Sequence, residues 1–154
     1  MTIVLNGVGG VRAHVGQHLG WGPWVEVTQE RINTFAQATG DHQWIHVDVE
    51  RAKAGPFGGT IAHGYLTLGM ISYLSRGLFE FTGFRMGVNY GLDKVRFPSP
   101  VPVGSRLRVG VSILGVDDIP GGIQITLEFI VEREGAEKPA CVAQMLMRQM
   151  TLPS

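Results

Sequence analysis

Four runs of alternating apolar and polar residues follow one another from Phe84 onward, directly after a segment, residues 62–81, that is apolar on nearly every face. Period-two alternation marks a strand with one buried face, whereas a helix apolar all round must itself be buried. The two needs satisfy each other when the sheet curves around the helix. The expected fold class is therefore α+β, a curved antiparallel sheet wrapped around one long buried central helix.

The first run sets Phe84, Met86, Val88, Tyr90 and Leu92 against Arg85, Gly87, Asn89, Gly91 and Asp93, and then continues on the opposite parity with Val95 and Phe97. A change of parity within one strand predicts a bulge near Asp93 and Lys94. Leu107, Val109, Val111 and Ile113 form the second run, Ile123, Ile125, Leu127, Phe129 and Val131 the third, and residues 140–150 the last. Turn-forming residues separate them at 98–104, 117–122 and 134–138.

The first half is read from its punctuation. Residues 1–23 are glycine-rich and form a lead-in, with a short helix or loop around 11–18. Residues 24–27 predict a short strand, after which Thr28 N-caps a helix with Ile32, Phe35 and Ala36 at helical spacing and Gly40 as its left-handed stop. A further turn of helix is expected between Asp48 and Gly55-Pro56. No repeat or linker divides the chain, so residues 1–154 are expected to form a single domain.

Composition narrows the function classes. Thirteen basic residues balance thirteen acidic ones, so net charge supplies no field for gathering nucleic acid or an anionic membrane. The one cysteine, Cys141, has no internal partner and is expected to be a small buried hydrophobe in a reducing compartment. Residues 1–10 lack a basic segment ahead of their apolar residues, and His63, Arg76 and three glycines interrupt the apolar stretch that follows. Neither a signal peptide nor a membrane span is expected, which leaves the cytoplasm as the expected location.

Chemistry concentrates in two loops flanking the start of the apolar helix, Gly40-Asp41-His42-Gln43-Trp44-Ile45-His46 and Gly58-Gly59-Thr60-Ile61-Ala62-His63-Gly64. An acid and a base five residues apart can converge on one water. Backbone amides at a helix start can hold a developing oxyanion, with Gly64 the natural donor because it lets a carbonyl approach. His42 and His46 stand at metal-ligand spacing, but the segment carries helix-end signals and lacks a convincing third ligand, so no metal is expected. No phosphate-binding G-x-x-x-x-G-K-[ST] pattern is present.

These residues carry a resemblance. Gly40-Asp41-His42-Gln43-Trp44-Ile45-His46-Val47-Asp48 resembles the signature G-D-x-N-P-[LIV]-H-x-D of the MaoC-like, (R)-specific enoyl-CoA hydratases, a family of hot-dog fold. Phe57-Gly58 with Ile61-Ala62-His63-Gly64-Tyr65-Leu66 is similar to that family's F-G-x-x-I-A-H-G-x-L segment. Val95-Arg96-Phe97-Pro98 with Pro100-Val101-Pro102-Val103-Gly104 is similar to its F-x-x-P-V-x-x-G segment. Gln43 and Trp44 replace the signature's Asn and Pro, a departure that bears on loop shape and substrate fit and resembles the NodN-like branch.

The resemblance implies reversible hydration of (2E)-enoyl-CoA to (R)-3-hydroxyacyl-CoA, a lyase reaction of fatty acid metabolism. Asp41 and His46 are its expected acid and base, sharing one water, with the Gly64 amide on the thioester oxyanion. His46 suits the base role because an ordinary imidazole, with a pKa of about 6.5, is mostly neutral at physiological pH. Gln43, His63 and Tyr65 are the expected substrate contacts. Lys94 and Arg96, with Arg106, are candidates for the phosphates of coenzyme A, which enters as substrate and not as a cofactor. A homodimer paired through the sheets is implied, with no nucleic-acid or membrane partner. The alternatives are 3-hydroxyacyl-carrier-protein dehydration, a hot-dog acyl-CoA thioesterase, and a non-catalytic acyl-CoA-binding module. The thioesterase reading is disfavoured because the only carboxylate of the apolar segment, Glu80, lies at its far end.

Overall fold

A computed structural model describes residues 1–153. Three strands of the alternating half make the centre of a six-stranded sheet: β6 (Arg106–Ile119), β7 (Gly122–Arg133) and β8 (Cys141–Thr151) pair antiparallel in sequence order, and β5 (Phe84–Arg96) closes the far edge against β8. Two strands from the lead-in side, β2 (His18–Trp21) and β3 (Val25–Glu26), pair along β6 at the other edge. The inner faces of β6, β7 and β8 bury Leu107, Val109, Val111, Ile125, Leu127 and Ala143. That alternation is strict along β7, where every second residue from Ile123 to Val131 is buried. The bulge expected near Asp93 is present as a register shift between Leu92 and Lys94.

The helix these faces cover is shorter than the sequence suggests. Helical structure spans α5 (Gly64–Gly69) and α6 (Ile71–Leu74), joined through Met70 by the bonds Met70 N–H to Leu66 O and Leu74 N–H to Met70 O. It packs on β8 and β6 and buries Leu66, Met70, Ile71 and Leu74. The expectation of one helix across residues 62–81, buried on all faces, is corrected in two respects. Tyr65 is 74% exposed and Tyr73 is 38% exposed, so one face remains open. Beyond Leu74 the chain turns at Gly77, with φ 77°, and residues Phe79–Thr82 become β4. That strand forms because β1 (Ile3–Asn6), in the lead-in, offers it a parallel partner, and the aromatic side chains Phe79, Phe81 and Phe84 meet edge to face.

The lead-in is accordingly part of the domain. Leu5, Val11 of α1 (Gly7–Arg12) and Leu19 join the same core as the sheet and central helix. Around it, α2 (Gln29–Thr39) forms as expected. Thr28 accepts a bond from Arg31 N–H at 3.1 Å, and Gly40 ends the helix at φ 78°. The chain then runs through α3 (Trp44–Val47) and α4 (Val49–Lys53), the latter capped by the Asp48 carboxylate. These two short helices pack on each other, α3 also meets α2, and Ile61, shortly before α5, bonds to Ile45 of α3. No helix among the described residues is long and apolar enough to cross a membrane.

Candidate active site

Three separate elements converge at the start of α5. Asp41 follows directly from the left-handed Gly40, which turns the chain away from α2 and leaves the carboxylate exposed, with Asp41 Oδ1 accepting Gln43 N–H at 3.4 Å. His46 sits on α3 and is buried. His63 is the residue immediately before α5 and is also buried. One ligand-type atom from each of the three side chains lies within 4.8 Å of the other two, close enough for a single small molecule to touch all three.

The surrounding main chain holds His46 and the segment leading to His63 in place. Ile61 N–H donates to Ile45 O at 3.0 Å, Ala62 N–H to Val101 O at 2.8 Å and Val103 N–H to Thr60 O at 2.9 Å, which clamps residues 60–62 between α3 and the segment ahead of β6. Gln29, on α2, donates to His46 O at 2.8 Å and accepts from the Thr60 hydroxyl. His46 Nδ1 lies 2.7 Å from Ile61 O. A carbonyl only accepts, so Nδ1 carries the proton and Nε2 keeps its lone pair. Burial is the largest influence on the His46 ring and lowers its pKa below the ordinary 6.5. The Ile61 bond raises it, His63 lowers it and Asp41 raises it, in decreasing order of effect. The outcome is a neutral base with its free nitrogen held in one direction.

A cavity of about 380 Å³ opens beside His46, walled by Gly64, Thr67, Phe97, Pro100 and Val101. It is mostly apolar, and it reaches Gly64, where the first amides of α5 have no carbonyl one turn back to receive them. A side chain at position 64 would put its Cβ 3.2 Å from the Phe97 ring, so glycine is what allows helix and phenyl to close together here. A larger and more open groove of about 570 Å³ runs between α2 and Leu66 and touches neither Asp41 nor His46.

Residues 11–134 match the MaoC like domain family. The chain belongs to that family. This MaoC-like domain is 53% identical over 142 residues to the 3-hydroxyacyl-thioester dehydratase Z of Mycobacterium tuberculosis, spanning 92% of the chain and 94% of that protein. It is 46% identical over 140 residues to nodulation protein N of Rhizobium leguminosarum bv. viciae, covering 88% and 86% respectively. Among solved structures it is similar to the R-hydratase PhaJ1 of Pseudomonas aeruginosa, with a TM-score of 0.72 at 23% identity over 90% of this chain and 83% of that one. At that identity the likeness speaks for the fold, which is the hot-dog fold.

The MaoC-like domain brings together some of the residues singled out by sequence and leaves others apart. Asp41, His46, His63 and Gly64 meet. Gln43 contributes main chain, its carbonyl accepting His46 N–H at 3.0 Å, while its side chain is not among the cavity walls. Trp44 packs under Arg51, whose guanidinium lies 4.3 Å from the ring. Tyr65 points away from the cavity into solvent. Lys94 and Arg96 are exposed on β5 and outside the cavity walls, and Arg106 is engaged with Glu134 at 3.0 Å. His42 is exposed and stays outside the cluster, so the spacing of His42 and His46 does not form a ligand pair; the group with metal-binding composition is Asp41, His46 and His63. Sequence reasoning gave no role to Gln29, Thr60, Thr67 or Phe97. Gln29 and Thr60 carried no signal, being ordinary polar residues until the fold joins them, whereas Phe97 lay within a family-like segment.

Proposed function

We propose that this protein adds water reversibly across the double bond of a (2E)-enoyl-CoA, giving the (R)-3-hydroxyacyl thioester. The observation that carries the reading is the meeting of Asp41 with a His46 whose Nε2 is unprotonated, beside an apolar cavity that reaches the first amides of α5. His46 Nε2 takes a proton from a water held against the Asp41 carboxylate as the hydroxyl bonds to C3. Electron density moves through C2 onto the thioester oxygen, where the Gly64 amide receives it. The imidazolium then returns the proton to C2, so that one water has been added and both side chains are restored. An oxyanion donor of this kind is worth about 2.7–4 kcal/mol of barrier.

Support comes also from the relative named as a 3-hydroxyacyl-thioester dehydratase, since dehydration is this reaction in reverse. The thioesterase alternative finds no carboxylate on α5 or α6. A homodimer is supported by β5, an edge strand that exposes Met86, Val88, Tyr90 and Leu92. Unpaired strand edges with apolar faces invite pairing with a second copy. The test is loss of enoyl absorbance on adding the purified protein to enoyl-CoA thioesters of increasing chain length, with chiral analysis of the product. Wild-type turnover in His46→Ala or Asp41→Asn would overturn the site. Binding without turnover would point to the non-catalytic module, thiol release to a thioesterase, and a strong preference for carrier-protein thioesters to the other carrier.

A further inference from the structure

His63 stands between the two proposed catalytic residues and touches both. The residue is 3% exposed, and its ring lies on the His46 ring at a centroid distance of 3.9 Å and an interplanar angle of 24°. Its Nε2 lies 3.0 Å from the main-chain oxygen of Asp41, and because that carbonyl only accepts, Nε2 is the protonated nitrogen. Phe35 of α2 packs on the same imidazole at 4.8 Å. The remaining nitrogen, Nδ1, is buried without a hydrogen-bond partner among the described residues. A packing role alone would be met more cheaply by a phenyl or isobutyl group, which leaves no buried polar atom unpaired.

We propose that His63 is a positioning residue that locks the acid loop and the base ring into one geometry, by donating Nε2–H to Asp41 O while stacking flat on His46. The inference rests on the reading of Asp41 and His46 as the acid and base. Asp41 follows a glycine and has its carboxylate in solvent, so little else restrains the loop: its other bonds are long, Asp41 N–H to Thr39 Oγ1 and Gln43 N–H to Asp41 Oδ1, each at 3.4 Å. The 3.0 Å bond from His63 is the short tie between this loop and the start of α5. Stacking confines the His46 ring against rotation about the bond it makes to Ile61. Asp41 and His63 are the titratable groups that face His46, Asp41 favouring its charged form and His63 opposing it.

Two near-isosteric variants separate the two contacts. His63→Phe keeps a ring against His46 but removes the donor. His63→Gln keeps a donor at the position of Nε2 but removes the stack. With enoyl-CoA as substrate, His63→Phe is expected to lose roughly 10- to 100-fold in kcat with KM little changed, as displacement of a reacting group by an ångström or less commonly does. His63→Gln is expected to recover part of that kcat, while the acid limb of its kcat/KM profile moves to higher pH, because His46 loses cover and a neighbour that disfavours its charge. Thermal unfolding of each variant accompanies the kinetics. Wild-type kcat and an unmoved acid limb in both variants, with His46→Ala inactive, would overturn the role of His63 while leaving the site intact. Activity losses that track only the fraction of folded protein would reduce His63 to a structural residue and equally overturn it. An active His46→Ala would instead remove the underlying acid–base reading.

Discussion

The Nδ1–H of His46 is bonded to the carbonyl oxygen of Ile61 across 2.7 Å, which fixes the tautomer and leaves Nε2 as the nitrogen able to accept a proton. Because Ile61 is itself held to Ile45 and its neighbour Ala62 to Val101, the His46 imidazole is anchored to the framework and not to a loose loop. His46→Ala and Asp41→Asn are each expected to lower kcat by about 10²–10⁴-fold, the usual contribution of a positioned acid or base. Steady-state kinetics on enoyl-CoA, with circular dichroism to verify folding, checks this.

The same burial has a consequence for pH. The His46 pKa is lowered from 6.5 in the folded protein. Between the folded value and about 6.5 the unfolded chain binds more protons than the folded one, so stability rises with pH through that window and is level above it. The acid limb of kcat/KM is therefore expected below pH 6.5, and denaturant midpoints are expected to fall as pH drops beneath that value. The His46→Gln variant should lose this part of the pH dependence.

Gly64 faces the Phe97 ring so closely that an added Cβ would lie 3.2 Å from it. Gly64→Ala is expected to push the phenyl by a few tenths of an ångström and narrow the cavity mouth. Turnover is expected to fall by about tenfold for long-chain substrates, with a stability loss of about 1 kcal/mol from overpacking. Chain-length profiles of the variant against the parent protein provide the measurement.

Cys141 lies fully buried on the inner face of β8, and burial pushes its thiol up to about 11. The thiolate is the reactive form, so alkylation at pH 8 is expected to be slow in the folded protein and complete once denaturant is added. Rapid labelling under native conditions, read by mass spectrometry, would contradict the placement of this strand in the core.

On β5, Val88 and Tyr90 are 43% and 57% exposed on an edge with no strand beyond it. If the proposed homodimer pairs through β5, Val88→Glu is expected to shift it toward monomer by placing like charges opposite one another across a two-fold axis. Analytical ultracentrifugation over a range of concentrations measures the shift, and an unchanged mass would locate the contact elsewhere.

Local signals determined what local physics decides. Thr28 and Gly40 mark the ends of α2 because capping and left-handed turns depend on the residue itself, and the alternation of β6, β7 and β8 was legible because period two needs only the chain to express it. The Asp41–His46 pair and the Gly64 helix start were likewise visible in sequence, since spacing and helix entry are properties of a short segment. Tertiary structure alone decided the rest. Phe79 and Phe81 sit in a strand and not in a helix because Ile3–Asn6, more than seventy residues earlier, supplies the backbone partner. The alternation of β5 reads like that of its neighbours, yet Met86, Val88, Tyr90 and Leu92 stay exposed because nothing in the folded chain buries them. His63 meets both Asp41 and His46 only when the start of α5 brings its imidazole against α3. Hydrogen bonds and ring contacts between segments far apart in the chain leave no periodic trace in either segment, which is why only the folded molecule reveals them.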